Sequence, residues 1–386
     1  MLEASYSGAE AALAERVRDA HDAGETVEIT GGGTRRALGR PVQAARMLST
    51  EALSGVSLYE PGALTLVAGA GTPLSEIEAA LGAEGQRLPF EPMDHRALLG
   101  SSGEPTIGAV AAMNNSGPRR IQAGAARDAM LGVRFVDGRG QVIRNGGRVM
   151  KNVTGYDLVK LMAGSWGTLG VITEIAFKVL PAPEAGATVA LEGLADEAAV
   201  AALAAALGSP WDVTGAAHVG GRTLIRIEGF AAQTAHRGPA LATALAPFGA
   251  AEIVEGEESA ALWRGVRDVS AFHNREGAVW RVSIKPSEGP RIVAALKAGG
   301  DFEPVYDWGG GLIWLLTPET GDAGDAAIRA ETRARGGHAT LARASAATRA
   351  AVEVFEPEAP GVAALSARIR AEFDPKGVLN PGRMRS

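Results

Sequence analysis

The stretch at residues 155–173, GYDLVKLMAGSWGTLGVIT, constrains the fold more than any other, because it joins a helical face, a glycine turn and a strand without a break. Leu158, Leu161 and Met162 recur at i, i+3 and i+4, the spacing of one helix face, over 156–162. Gly164, Gly167 and Gly170 follow at every third residue. Small residues at that spacing let the main chain pass flat against something planar or charged, with its amides unobstructed. Val171, Thr173, Ile175, Phe177 and Val179 then alternate with more polar partners, which predicts a strand. Thr168 and Ile172 therefore fall where a turn meets a sheet edge, positions from which main chain can bond a ligand. Taken alone, the pattern fits a plain helix–turn–strand connection equally well.

The chain has 386 residues, beyond the size at which one core usually stops growing, so two domains are expected, and its 46% apolar content is enough for both. It contains no cysteine, which excludes disulfides, a cysteine nucleophile, a cysteinyl-linked cofactor and an iron–sulfur cluster held by its own thiolates. A net charge of −6 without a long Lys/Arg block argues against nucleic acid as a partner. The first residues, through 24, read as an amphipathic helix, with no basic region followed by an apolar run. No segment approaches the roughly 18 apolar residues of a membrane span, so a cytoplasmic location is expected. Glycine, at 51 residues, exceeds its usual share of ~7%. Those glycines interrupt apolar strands, and we read them as tight turns.

Elsewhere, a short strand at 26–30 runs into Gly31, Gly32, Gly33 and Thr34, followed by Arg35 and Arg36. A strand, three glycines and a hydroxyl make a cradle of amides for an anion, although neither a Walker loop nor G-x-G-x-x-G is present. Residues 64–68 predict a strand, and Thr72 with Pro73 the N-cap and first position of a helix that turns Leu74, Ile77 and Leu81 inward. The run 103–117, GEPTIGAVAAMNNSG, is a third glycine-rich loop, offering Asn114 and Ser116 as short polar groups. Residues 133–136 and 141–144 predict a hairpin about Asp137-Gly138. Pro181-Ala182-Pro183 marks a domain boundary, and from 188 to about 344 strands alternate with alanine-rich helices, as in an α+β domain with an antiparallel sheet. The turn-rich tail, 373–384, reads as a docking segment.

Four motifs in fixed order, GGGT at 31–34, PTIGA with NNSG at 105–117, GYDL with GSWGTLGVIT at 155–173, and FDPKGVLNPGRM at 373–384, resemble the vanillyl-alcohol oxidase/p-cresol methylhydroxylase flavoprotein superfamily. Finer features are similar to the flavin-binding E subunits of bacterial glycolate oxidases: SGPRR at 116–120, ARDAMLG at 126–132, VMKNVTGYDL at 149–158, DWGGG at 307–311 and GGHATLAR at 336–343. The resemblance implies an α+β fold. A PCMH-type FAD-binding domain of two α+β subdomains would span 1–181, an α+β cap domain with an antiparallel sheet 182–345, and a C-terminal helix and tail returning to the flavin 346–386. It implies FAD contacts at Gly31, Gly32, Gly33, Thr34, Gly103, Thr106, Ile107, Gly108, Asn114, Ser116, Gly117, Gly167, Thr168, Gly170 and Ile172, with Asn380 near the flavin ring edge. Ala109 departs from the commoner second glycine. Many relatives hold FAD through a histidine near the first glycine loop; this chain has none between 22 and 94, so non-covalent FAD is expected. The implied partners are a second flavoprotein subunit and an iron–sulfur subunit, with membrane contact only through them, peripheral at the inner membrane.

Oxidising a 2-hydroxy acid needs a cation for the carboxylate, a base for the hydroxyl proton and a C–H aimed at the flavin. The paired cap-domain histidines of relatives acting on D-lactate or glycolate have no counterpart here, and the six histidines are isolated, so no metal site is expected. His338 is a candidate base or a buried structural histidine. Arg281, inside the apolar strand VWRVSIKP, either binds a carboxylate or the flavin edge, or forms an internal ion pair. His218 and Arg222 flank a Gly-Gly turn and are expected at the surface, and Trp280, Trp308 and Trp314 either line a cavity or pack in the core. The expected function is that of an FAD-binding subunit of a multi-subunit glycolate oxidase. The alternatives are a self-sufficient FAD-dependent 2-hydroxy-acid or alcohol dehydrogenase and a structural flavin-fold subunit.

Overall fold

The computed structural model describes residues 6–147 and 155–385, so the 149–154 part of the VMKNVTGYDL motif lies outside the described residues. The strand expected after the glycine turn forms at Val171–Lys178 and sits in the middle of a five-stranded antiparallel sheet, between Thr65–Gly69 and Met130–Val136. Helices cover this sheet, so Ile172 and Ala176 are buried as well as Val171, Ile175 and Phe177. The Asp-Gly hairpin closes with Val136 opposite Val142, and Asp137 Oδ1 accepts from the amides of Arg139 and Gln141 at 2.9 and 2.8 Å. The helix before the glycine turn is shorter than expected, Leu158–Met162, because the Asp157 side chain caps it by accepting from Lys160 N. Helix Leu74–Ala83 buries Leu74, Ile77 and Leu81 as expected. Thr72 does not cap it; its hydroxyl donates to Gly69 O at 2.6 Å and holds the preceding turn.

The amino-terminal helix Ser7–Ala23 lays Leu13, Ala14, Val17 and Ala20 on a core shared with Val27, Leu48, Val171, Val378 and Leu379. The C-terminal segment is part of that core. Val27 N donates to Val378 O, Asn380 N donates to Val27 O, and Asp374 accepts from the amides of Val378 and Leu379. The tail thus docks along strand Val27–Thr30, which also pairs in parallel with Arg46–Ser49.

Strands between Ala185 and Arg343 form one eight-stranded sheet whose pairings are all antiparallel. Three of its strands, Val213–Val219, Glu303–Asp307 and His338–Arg343, are not apparent as strands in the sequence. One correction follows directly: His218, expected at the surface, is 5% exposed on strand Val213–Val219, with Nδ1 2.9 Å from Thr223 Oγ1. One face of the sheet packs Trp280, Val282, Tyr306, Ile313 and Leu315 under helices. Its other face presents Val305, Leu312 and Trp314 toward Leu38, Met93 and Leu98 of the first half.

A buried ion network ties the eight-stranded sheet to the first half of the chain. Arg226 donates both Nη atoms to the Glu91 carboxylate at 3.0 Å, and Glu228 takes Arg119 and Arg87 at 2.6 and 2.9 Å. Burial would raise the Glu228 pKa, but the Arg119 hydrogen bond and the charges of Arg226, Arg119 and Arg87 hold it well below the usual range.

Candidate functional site

Two adjoining cavities lie where the glycine loops, the tail and the eight-stranded sheet meet. The first is a cleft whose floor is the 31–34 turn, walled by Thr106, Gly108 and Ala109 on one side and by Gly167, Gly170, Ile172 and Asn380 on the other. The turn leaves strand Val27–Thr30 with Gly33 at φ +74°, and a Cβ there would meet nothing within 4 Å. Among the described residues, the amides of Gly32, Gly33, Thr34 and Arg35 donate to no protein acceptor. Consecutive free amides on a left-handed turn concentrate positive potential and suit a phosphate.

Gly31, Gly32 and Gly103 are explained by packing. A Cβ on Gly32 would lie 2.0 Å from Glu104 O, one on Gly31 2.4 Å from Thr106 Oγ1, and one on Gly103 2.2 Å from Gly32 O. The first and third glycine loops are pressed backbone to backbone, and this sets the cleft floor. Gly103 itself stands behind the lining. So do Ile107, which is fully buried with its amide donating to Thr72 O, and Thr168, whose hydroxyl donates to Ser165 O at 2.7 Å. Asn380, at φ +44°, accepts from Ile29 N and donates to Trp166 O, both at 2.8 Å. It clamps the first glycine loop's strand to the SWG turn.

The second cavity, of about 260 Å³, adjoins the cleft across Leu38, Met113 and Trp166, which line both. Asn114, Ser116 and Gly117 border this cavity rather than the cleft. Their side chains hold the loop: Asn114 Oδ1 accepts from Arg127 N, and Ser116 Oγ from Ala126 N. Strand register places Arg281 opposite Trp314 and Thr340, Trp314 opposite Val305, and Leu312 opposite Asp307, so these residues share the sheet face that closes the cavity. Trp280 points to the opposite face and is wholly buried.

The electrostatics of this cavity are unusual. Burial, with the nearby Arg120, pushes the Arg281 guanidinium down to about 10. Neither Arg281 nor Arg120 has an ion pair or a side-chain hydrogen bond among the described residues; both lie against the Trp308 ring, at 5.1 and 4.6 Å from its centre. Burial raises the Asp307 carboxyl to about 7, and its Oδ1 accepts from Trp308 N at 2.7 Å. Trp308, at φ +53°, is held in the left-handed region, and its Nε1 donates to Gly117 O across the two halves. At the junction of the cavities, Arg35 donates Nε to His95 Nδ1 at 3.3 Å and Nη2 to Met93 O, while its buried Nη1 has no partner. Burial and the Arg35 charge keep His95 neutral, with a pKa of about 3. His338, in contrast, opens the edge strand His338–Arg343, is exposed, and does not line the cavity.

Sequence reasoning missed Arg35, Arg120, Asp307 and Trp166. Asp307 lay within the DWGGG motif, where an acidic residue before a bulky residue and three glycines was the available signal.

Two interlocked glycine loops, a nest of free amides and a returning tail define an FAD-binding flavoprotein. Residues 6–146 match a protein-family model described as FAD binding domain. Across 96% of its length the chain shares its fold with alkyldihydroxyacetonephosphate synthase, covering 75% of that chain at a TM-score of 0.66 and 16% identity. It is 36% identical over 386 residues to the "Glycolate oxidase subunit GlcE" of Escherichia coli (strain K12), covering 100% of this chain and 99% of that protein. The chain belongs to this family of glycolate oxidase subunits. A shorter match, 44% over 79 residues, covers 20% of this chain and 17% of the "Glycolate oxidase subunit GlcD" of Bacillus subtilis (strain 168).

The chain therefore binds FAD, and the structure offers what that cofactor needs: free amides for a pyrophosphate and an unpartnered buried guanidinium nitrogen on Arg35 beside them. Among the described residues, no group of three His, Asp or Glu side chains is placed to hold a metal ion.

Proposed function

We propose that this chain is the FAD-binding subunit of a multi-subunit glycolate oxidase that converts glycolate to glyoxylate and passes electrons to an iron–sulfur subunit. The observation that carries this reading is the full-length similarity to a subunit of that name. The absence of cysteine supports the division of labour, since a cluster must then be held by another chain. In this reading the free amides of Gly32, Gly33 and Thr34 hold the pyrophosphate, and Thr106, Gly108 and Ala109 flank the cofactor on one side. Gly167, Gly170, Ile172 and Asn380 flank it on the other. FAD, when bound, accepts the electrons; the chain orients it and excludes water. The linkage is non-covalent, because His95, the one histidine near the cleft, is committed to Arg35 and is deeply buried.

Among the described residues no helix is long and apolar enough to cross a membrane, and we place any membrane contact with the partners. The test is co-expression with a GlcD-type flavoprotein and an iron–sulfur chain. Copurification of a yellow complex that reduces an artificial acceptor with glycolate is expected. A yellow chain that binds neither partner would refute the subunit assignment while leaving FAD binding intact.

A further inference from the structure

The second cavity contains a combination that needs a ligand. Arg120 and Arg281 bring two positive charges to one buried space, each depressing the pKa of its surroundings, and no acidic group pairs with either among the described residues. Arg281 loses hydration on burial and is further depressed by the Arg120 charge, a cost that the Asp307 charge offsets only in part and that a bound anion relieves. Both are fixed in place: Arg120 stands on the short helix Arg120–Ala123, Arg281 in a strand paired on both sides, and both rest on the Trp308 ring. That ring is itself pinned at Gly117 O by a residue with left-handed backbone, a conformation that is costly for a bulky side chain and persists only where surrounding structure enforces it.

The anion's chemistry follows from the rest of the lining. At about 260 Å³ the cavity falls just below the roughly 300–1,000 Å³ of larger ligand sites, so it suits an acid of a few carbons rather than a nucleotide. Guanidinium forks match planar carboxylates. The cavity also holds Asp307, whose Oδ1 is used by Trp308 N and whose second oxygen calls for a donor. A 2-hydroxy acid offers a hydroxyl next to its carboxylate.

We propose that this chain has a carboxylate site of its own, in which Arg120 and Arg281 hold the carboxylate of a small 2-hydroxy acid and Asp307 accepts the hydrogen bond of its hydroxyl. The inference rests on reading the neighbouring cleft as the FAD site, since the cavity is then the space beside the cofactor.

The test is ligand-dependent thermal stabilisation of the isolated full chain, with glycolate and acetate as probes, sodium chloride as the ionic control, and flavin per chain measured on every sample. Glycolate should raise the melting temperature saturably, acetate more weakly, and chloride not at all. Arg281→Gln and Arg120→Gln should each weaken the glycolate response at least tenfold, and Arg281→Lys should recover part of it. Asp307→Asn should reduce the glycolate response toward that of acetate and leave the acetate response unchanged. A flavin-loaded wild type with no saturable glycolate response, or folded Arg120→Gln and Arg281→Gln chains that respond as wild type does, would overturn the site. A chain lacking flavin that still binds glycolate through these arginines would support the site and refute the cleft as an FAD site.

Discussion

Asp307 gives the sharpest test of the cavity's electrostatics. Burial, reinforced by the Glu91 charge and opposed by the Trp308 amide, Arg226 and Arg281, raises its carboxyl from 3.8 to about 7. A raised pKa in the folded state means that the native protein binds the proton more tightly than the unfolded chain. The associated stability is therefore complete below pH ~3.8 and is lost as pH climbs through about 7. At 1.36 kcal/mol per unit, the raised pKa costs roughly 1.6 kcal/mol at pH 5, where folded Asp307 still holds its proton, and about 4 kcal/mol at pH 8, where it is ionised. Asp307→Asn removes the titration and keeps an oxygen for Trp308 N. The variant should therefore gain on wild type by roughly 2–3 kcal/mol between those two pH values. Urea unfolding of both proteins at pH 5, 6, 7 and 8 measures this. Stability differences that stay constant across the series would refute the raised pKa and, with it, the desolvation of this carboxyl by burial.

Asn380→Ala removes two side-chain hydrogen bonds to main chain and places alanine at φ +44°, so a loss of about 3–5 kcal/mol is expected, while Asn380→Gly should recover about 1 kcal/mol of it. Urea unfolding and flavin release measure both. Glu91→Gln breaks the paired contact to Arg226 inside the network that joins the eight-stranded sheet to the first half, and a loss of about 3–5 kcal/mol is expected in the same assay. Gly32→Ala drives a methyl into Glu104 O; the two glycine loops should part, with an overpacking cost of about 1–3 kcal/mol and loss of flavin well before the chain unfolds.

Much of this architecture was legible because local chemistry decided it. The alternating strand at 171–178, the Asp-Gly hairpin and the inward face of Leu74, Ile77 and Leu81 are all set by period and turn residues. Three strands escaped notice for physical reasons. Val213–Val219 is buried on both faces and so shows no alternation, Glu303–Asp307 carries Pro304, and His338–Arg343 begins with an exposed histidine after two glycines. The same lack of alternation hid His218, which looked like a turn-flanking surface residue. The glycine loops announced themselves, but not the division of labour within them. Gly31, Gly32 and Gly103 serve loop-to-loop packing, while Gly33 leaves open space. Arg120 and Arg281 lie far apart in sequence, and that neither has an acidic partner can be seen only once the sheet brings them to the same ring.

We propose that FAD occupies the cleft between the 31–34 turn and the 167–172 wall, held without a covalent bond. Ala109 lines that cleft from helix Ile107–Met113, so Ala109→Trp should fill the space and spare the cores. The decisive measurement is flavin per chain, before and after acid precipitation, in wild type and in this variant. One FAD per wild-type chain, released into the supernatant by acid, is expected, and none in a folded Ala109→Trp chain. A colourless wild type, a yellow acid pellet, or a variant that keeps its full flavin would contradict it.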